Sequence, residues 1–256
     1  MVSDLHSVTP ANFLSKYADA TYLIIPATNV KSCSAEISNN DTWACNNNLR
    51  LNPSMSLEII FVNPWMSKRR YHRRFQVSLQ VEEIKMLCLT FTQKFSMSCH
   101  VNDLSRCSQS LFALRTLWQQ GLPADAPQVV FQAIVINKLS YASPAWWGFA
   151  SADDQNHLEA FLWQSTKFGY RGNSTSTFTS LCDEVDEQLF DRVAYNTHHL
   201  LHPLLSPRHN RHYSFRQRTH DFELPDHTSE LKNKNFLMRM LFKQRGCSTS
   251  LCISQS

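Results

Sequence analysis

The chain lacks any apolar run of the roughly 18 residues that a membrane helix needs. The best candidate, Val129 to Ile136, is short and is broken by Gln132. No membrane partner is expected. Glycine and proline are also sparse, at 5 and 10 of 256 residues, which excludes collagen-like and low-complexity chains. The amino-terminal "MVSDLHSVTPANF" has no basic segment leading into an apolar core, so no secretory signal is expected. The expected compartment is intracellular, cytoplasmic or nuclear, and reducing. The cysteines are scattered among apolar neighbours without a disulfide framework and read as free thiols. No Ser or Cys sits in a recognisable nucleophile elbow or beside a suitably spaced His and Asp, which argues against acyl-transfer chemistry.

What is present is a globular composition, 43% hydrophobic, with a net charge of +4 that is unevenly spread. One basic block is Lys68-Arg69-Arg70-Tyr71-His72-Arg73-Arg74, and another runs from Arg208 to His220. The first third reads as β-α-β. "FLSKYADATYLIIP" (Phe13 to Pro26) reads as a hairpin, residues 31–48 as a polar helix, and "LEIIFV" (57–62) as a strand. A further strand-like run is "EIKMLCLTFT", 83–92.

Beyond His100 the period becomes helical. Leu104, Cys107, Leu111, Leu114 and Leu117 form one apolar face that stops at Gly121-Leu122-Pro123. A second helix spans Pro127 to Tyr141 and is apolar nearly all round, as a central helix would be. A third follows a capping box at Ser151 and Asp154, with Leu158, Phe161, Leu162 and Phe168 on its buried side. A fourth starts at Ser180 and buries Leu181, Val185, Leu189 and Val193. The fold class expected is α+β, divided into residues 1–95, a helical subdomain at 96–205 and a basic, largely irregular tail at 206–256. Within that tail, Phe236 to Phe242 reads as a short amphipathic piece that returns to the body.

A lone Asp19 at the apex of a hairpin is an ordinary turn residue or a cation ligand, and spacing alone does not choose between them. The wider order adds information. Tyr17-Ala18-Asp19-Ala20, a helix, "NLRLNPSMSLEIIFV", "IKMLCLTFTQKFSMSCHV", and then the helical region through "SYASPAWWGFASADD" and "NFLMRMLF" together resemble a family. They are similar to the C-terminal half of the reverse transcriptase palm and thumb of non-LTR (LINE-type) retrotransposons. That resemblance covers nearly the whole chain and implies an RNA-directed DNA polymerase ancestry. Carboxylates from two palm strands there hold two Mg²⁺ ions about 3.5–4 Å apart. Asp19 matches the first hairpin aspartate, and Ala20 stands where the second belongs. Met55 replaces a lysine, and Cys88 replaces the glycine of the Leu-Gly pair in the primer-gripping hairpin. The chain starts about a dozen residues before the hairpin, so the earlier palm strand with its own aspartate is expected to be missing. A lone Asp19 cannot position two ions, so no competent catalytic site and no cofactor of its own are expected.

The remaining candidates concern nucleic acid. Arg69, Arg70, Arg73 and Arg74 offer phosphate contacts or a solvated loop. Arg208, Arg211, Arg216 and Arg218, interleaved with Tyr213 and Phe215, offer weak RNA or single-stranded DNA binding, or a tail with no ligand. His198 and His202 lie four apart, which on a helix shares a face, but zinc needs further ligands, and a cation-friendly helix end is the favoured reading. Trp146-Trp147 reads as packing.

Overall fold

The computed structural model describes residues 4–18, 20–62, 79–105, 108–121, 123, 126–171, 176–208, 220–226 and 230–243. The chain is α+β and separates into two compact units, Met1–Ile84 and Lys85–Ser256. The division falls ahead of the boundary at 95 read from the sequence, and the described tail segments group with the second unit.

In the first unit, β1 (Phe13–Tyr17) and β2 (Ala20–Ile24) form the expected antiparallel hairpin, with Phe13 opposite Ile24 and Tyr17 opposite Ala20. A 3₁₀ turn, Ala27–Ser32, leads into α1 (Cys33–Asn46). The strand expected over 57–62 shrinks to β3 (Leu57–Glu58), which pairs in parallel with β4 (Leu79–Gln80). A strand extends only as far as a partner can satisfy its backbone, and β4 offers two residues. Among the described residues, Leu5 and Ala44 are the only buried apolar side chains of this unit. A carboxylate does the holding instead. Glu36, on α1 and fully buried, accepts hydrogen bonds from Val8 N (3.1 Å), Thr9 N (2.8 Å) and Asn12 Nδ2 (2.8 Å). Asn12 also donates to Ser32 Oγ and accepts from Asn29, so the amino-terminal loop is laced to the start of the helix. Burial alone would raise the Glu36 pKa, but these donors outweigh it and hold the carboxyl below its ordinary range.

The run 83–92 is two strands rather than one. β5 (Glu83–Met86) and β6 (Leu89–Thr92) pair across Leu87 and Cys88, both with positive φ (48° and 66°). The second unit continues as helices. They are α2 (Ser98–Ser105), α3 (Ser108–Gln119), α4 (Ala126–Val130) running through a π-helical turn Phe131–Ile136 into α5 (Asn137–Ser140), α6 (Ser143–Trp146), α7 (Ala152–Lys167) and α8 (Phe178–Tyr195). The single helix face expected from Leu104 to Leu117 is thus split between α2 and α3, and Leu117 is half exposed. The helix expected to be buried all round instead buries one face, Phe131, Val135, Ile136 and Leu139, and leaves Val129 and Ile134 more than half exposed.

At the centre Trp146 is fully buried. It stacks on Phe178 (6.3 Å between centroids) and meets Trp147 (5.9 Å) and His100 (5.1 Å) edge to face. The Trp pair is core, as expected. The capping box at α7 also forms, with Asp154 accepting from Ser151 N and Oγ; its Oδ2 further accepts from Ser98 Oγ at the start of α2. The buried stripe of α7 departs from expectation at its end. Ser165, not Phe168, follows Leu158 and Leu162 into the core, with its hydroxyl donating to the Phe161 carbonyl. The helix stops at Lys167 and the chain turns through Gly169 (φ 78°), which leaves Phe168 outside and Tyr170 inside.

The fourth helix begins a turn earlier than read. Thr177, not Ser180, is the cap, its side chain accepting from Ser180 N. The buried face is Phe178, Cys182, Asp186, Phe190 and Val193; Val193 is buried as expected, while Cys182, Asp186 and Phe190 each lie one residue past the expected Leu181, Val185 and Leu189. Asp186 pairs with Arg239 Nη1 at 2.8 Å. Arg239 comes from α10 (Phe236–Phe242), which with α9 (Glu230–Lys234) is the returning piece of the tail. Gly148 makes the docking possible, because a Cβ there would strike the Lys234 carbonyl oxygen and Arg239 Nε. Phe190, Ala194, Phe222, Phe236, Met240 and Leu241 close a second, smaller core around this segment.

Candidate nucleic-acid interface

The hairpin apex is a two-residue loop, since Tyr17 and Ala20 are the last paired residues. Ala18 takes φ 51°, a conformation that costs an L-residue about 1–2 kcal/mol and that Gly or Asn would adopt more readily. Asp19 itself lies outside the described residues. On the described side of the loop, Ala20 projects a methyl group, and no residue of β1 or β2 carries a carboxylate. A pair of Mg²⁺ ions needs several oxygen ligands, including carboxylates from more than one position. The described hairpin residues do not fit that requirement. Among the described residues, no group of three His, Cys, Asp or Glu side chains is placed to share an ion.

Of the cationic candidates, Arg69, Arg70, Arg73 and Arg74 lie outside the described residues, as do Arg211, Arg216 and Arg218. Arg208 is described and is tied to the body of the second unit. Its Nη2 donates to the Ala194 carbonyl (3.1 Å), its guanidinium lies 5.3 Å over the Phe222 ring, and its backbone bridges to Phe222. A packing role therefore accompanies any contact with phosphate. The histidines do not share a helix face, because α8 ends at Tyr195 and His202 opens a separate 3₁₀ turn. His199 Nδ1 accepts from Leu201 N, a local turn bond.

Comparison with known protein families, with curated proteins and with solved structures finds no match. The site must be read from its own residues.

Two features escaped the sequence reading. His100 is buried against Trp146, and neither ring nitrogen has a hydrogen-bond partner. Burial holds its pKa down, with Lys85 acting in the same direction and Asp103 opposing. It is a neutral core residue in a position where a hydrophobic pattern registers only a polar interruption. The second feature is the aromatic surface at the ends of α3 and α7. Phe168, half exposed, belongs to it, and a helical-period reading had placed that ring inside. The signal available in the sequence was Gly169, which ends the helix and redirects the chain.

Proposed function

We propose that this chain is a palm-and-thumb remnant of a LINE-type reverse transcriptase that holds single-stranded nucleic acid without polymerising it. The observation that carries the reading is Ala20. It closes the hairpin opposite Tyr17, so the position that the resembling family gives to its second hairpin carboxylate holds a methyl group. The order of elements supports the same reading: a hairpin, a helix, a short strand, a second hairpin with Leu87-Cys88 at its turn, and then a helical subdomain. That the second unit has its own aromatic core, built around Trp146, favours a binding function that outlasts the loss of chemistry.

The purified chain extends no primer on an RNA template with Mg²⁺ or Mn²⁺, and Ala20→Asp alone restores no incorporation, because the chemistry draws carboxylates from two strands. Asp19-dependent incorporation by the wild type would overturn the assignment. Binding is expected to weaken with salt, with a log-log slope of about −0.7 per single-strand phosphate contact, so roughly −3 if Arg208, Arg211, Arg216 and Arg218 each make one. Replacing the four arginines with alanine flattens the slope. No binding at low salt would leave the chain an inert fragment.

A further inference from the structure

The ends of α3 and α7 bring aromatic rings to the surface of a globular unit. Trp118, at the end of α3, and Phe168, just past α7, flank the buried Tyr170, with ring centroids 5.9 Å and 6.4 Å from it. Trp118 is 37% exposed and Phe168 51%. One turn back, Trp163 is 68% exposed, and the Lys167 ammonium sits 5.4 Å over its ring. A core has no use for rings held this way, and water solvates them poorly.

Tyr170 also lines a cavity of about 360 Å³, together with Gln128, Phe131, Gln132, Arg171 and Ser176. This lining pairs flat apolar walls with amide, hydroxyl and guanidinium groups, in the size range of small-molecule sites. Arg171 is fixed there by Nη2, which donates to the Ser176 carbonyl (2.7 Å) and hydroxyl. Burial lowers its pKa while Glu159 opposes, and the side chain stays a cation.

Two cations edge this surface, Lys167 over the Trp163 ring and Arg171 at the cavity. No carboxylate occurs in the sequence between Asp103 and Asp125, which spans α3, or between Glu159 and Asp183, which spans the end of α7 and the approach to α8. Arg115, Lys167 and Arg171 lie in those stretches. Glu159, which acts on Arg171, has its oxygens accepting from Phe178 N, Thr179 N and Thr179 Oγ1 at the start of α8. Exposed rings, a polar-edged cavity and the Lys167 and Arg171 cations complement a partner that carries flat bases on an anionic backbone.

We infer that the exposed rings of Trp118 and Phe168, with the cavity edged by Tyr170, Gln128, Gln132 and Arg171, form a platform that stacks unpaired bases of a single strand and seats one of them. The platform rests on the nucleic-acid reading above and adds to it a site where bases, rather than phosphates alone, supply affinity. Stacking on an aromatic side chain contributes about 1–3 kcal/mol per base, which corresponds to roughly a 5- to 150-fold change in affinity.

The test compares three probes of equal length on the full chain: a thymidine oligonucleotide, an abasic oligonucleotide with the same phosphates, and a duplex. Tryptophan fluorescence and anisotropy are the readouts. Expected are quenching by the thymidine strand, affinity for it at least about fivefold above the abasic strand, and weaker binding of the duplex. Phe168→Leu and Trp163→Ala alter exposed side chains and should leave the fold intact. Phe168→Leu should erase most of the thymidine-over-abasic preference while the salt slope stays unchanged. A uridine strand tests whether RNA is taken equally. Equal affinity for thymidine and abasic strands, or a preference untouched by Phe168→Leu, would overturn the platform while leaving phosphate binding standing. Loss of self-association in Phe168→Leu with no change in binding would overturn it too and make the patch a contact between copies. Failure to bind any probe at low salt would remove the nucleic-acid reading itself.

Discussion

The two units of this chain are held by different physics. In the second, Trp146, Phe131, Phe178 and Leu139 pack with almost no exposure, and the polar side chains among them, the capping Asp154, the Asp186–Arg239 pair and the unpartnered His100 ring, are set within that apolar core. In the first, the fully buried side chain of note is Glu36, and the loop it organises is fastened by hydrogen bonds to its carboxylate. The β1–β2 hairpin beside it leaves Phe13, Tyr17 and Ile24 more than half exposed. A two-stranded hairpin is marginal on its own. Apolar burial scales with area and depends little on pH, whereas a carboxylate network depends on one ionisation state. The first unit should therefore be the weaker and the more acid-sensitive, and backbone amides in 1–84 should exchange faster than those in 100–200.

Removing the centre of the second unit is the largest perturbation. Trp146→Ala deletes a fully buried indole and is expected to cost about 3–5 kcal/mol, read as a lower urea midpoint. Arg239→Ala should come close, at roughly 3 kcal/mol or more, since it strands Asp186 in an apolar surround. Burial already pushes the Asp186 pKa up despite the guanidinium beside it. Neutralising both partners, with Asp186→Asn added to Arg239→Met, should recover part of the loss. If Arg239→Ala costs nothing, the tail segment α9–α10 is not docked through this pair.

Acid sharpens the contrast. The Glu36 pKa is lowered from 4.5, so its contribution is complete above about pH 4.5 and is lost as pH falls through the lower folded value. Glu36→Gln should cost about 2 kcal/mol at neutral pH, measured as faster exchange at Val8, Thr9 and α1, and little once both chains are acidified. His100 tests whether the second unit is as pH-independent as its core suggests. Its pKa is depressed from 6.5, so neutral His100 contributes fully above that value and stability declines as pH drops below it. His100→Phe should flatten the urea midpoint between pH 7 and 5. A profile identical to wild type would mean that the ring gains a partner on protonation.

How far the sequence reached follows the same line. A nearly unbroken apolar run located the helix through Phe131 and Leu139, though not the exposure of Val129 and Ile134 on its other face, and the Ser151–Asp154 capping box formed as written. Apolar patterning failed where burial is polar. Asp186 and Ser165 are core residues, and a pattern that accepts only apolar side chains shifts α8 by one position and puts Phe168 inside. The start of α8 was missed because Thr177 and Ser180 are both good caps, and only the fold selects Thr177. At the candidate site the sequence located the apex and Ala20, but the platform of Trp118 and Phe168 needed tertiary structure, since those rings lie fifty positions apart.

The smallest effects are at the turns of the two hairpins. Both have two-residue loops, and two-residue loops that follow the twist of their strands put φ above zero at the central positions, where glycine and asparagine are favoured. The chain instead uses Ala18 at φ 51° in the first hairpin and Leu87 and Cys88 at 48° and 66° in the second. An L-residue held there gives up about 1–2 kcal/mol, part of which glycine returns to its greater freedom in the unfolded chain. Cys88→Gly should therefore stabilise by up to about 1 kcal/mol, seen as a rise in urea midpoint and slower exchange along β6. Ala18→Gly should gain a similar or smaller amount along β1. The two should differ in what they report: β6 carries the buried Leu89 and Thr90, so a tighter turn there supports the second unit's packing, whereas β1 has no buried residue to transmit the gain. If Ala18→Gly stabilises the chain as a whole more than Cys88→Gly, the first unit is not the weaker partner, and the contrast between a carboxylate-held and an aromatic-held unit falls.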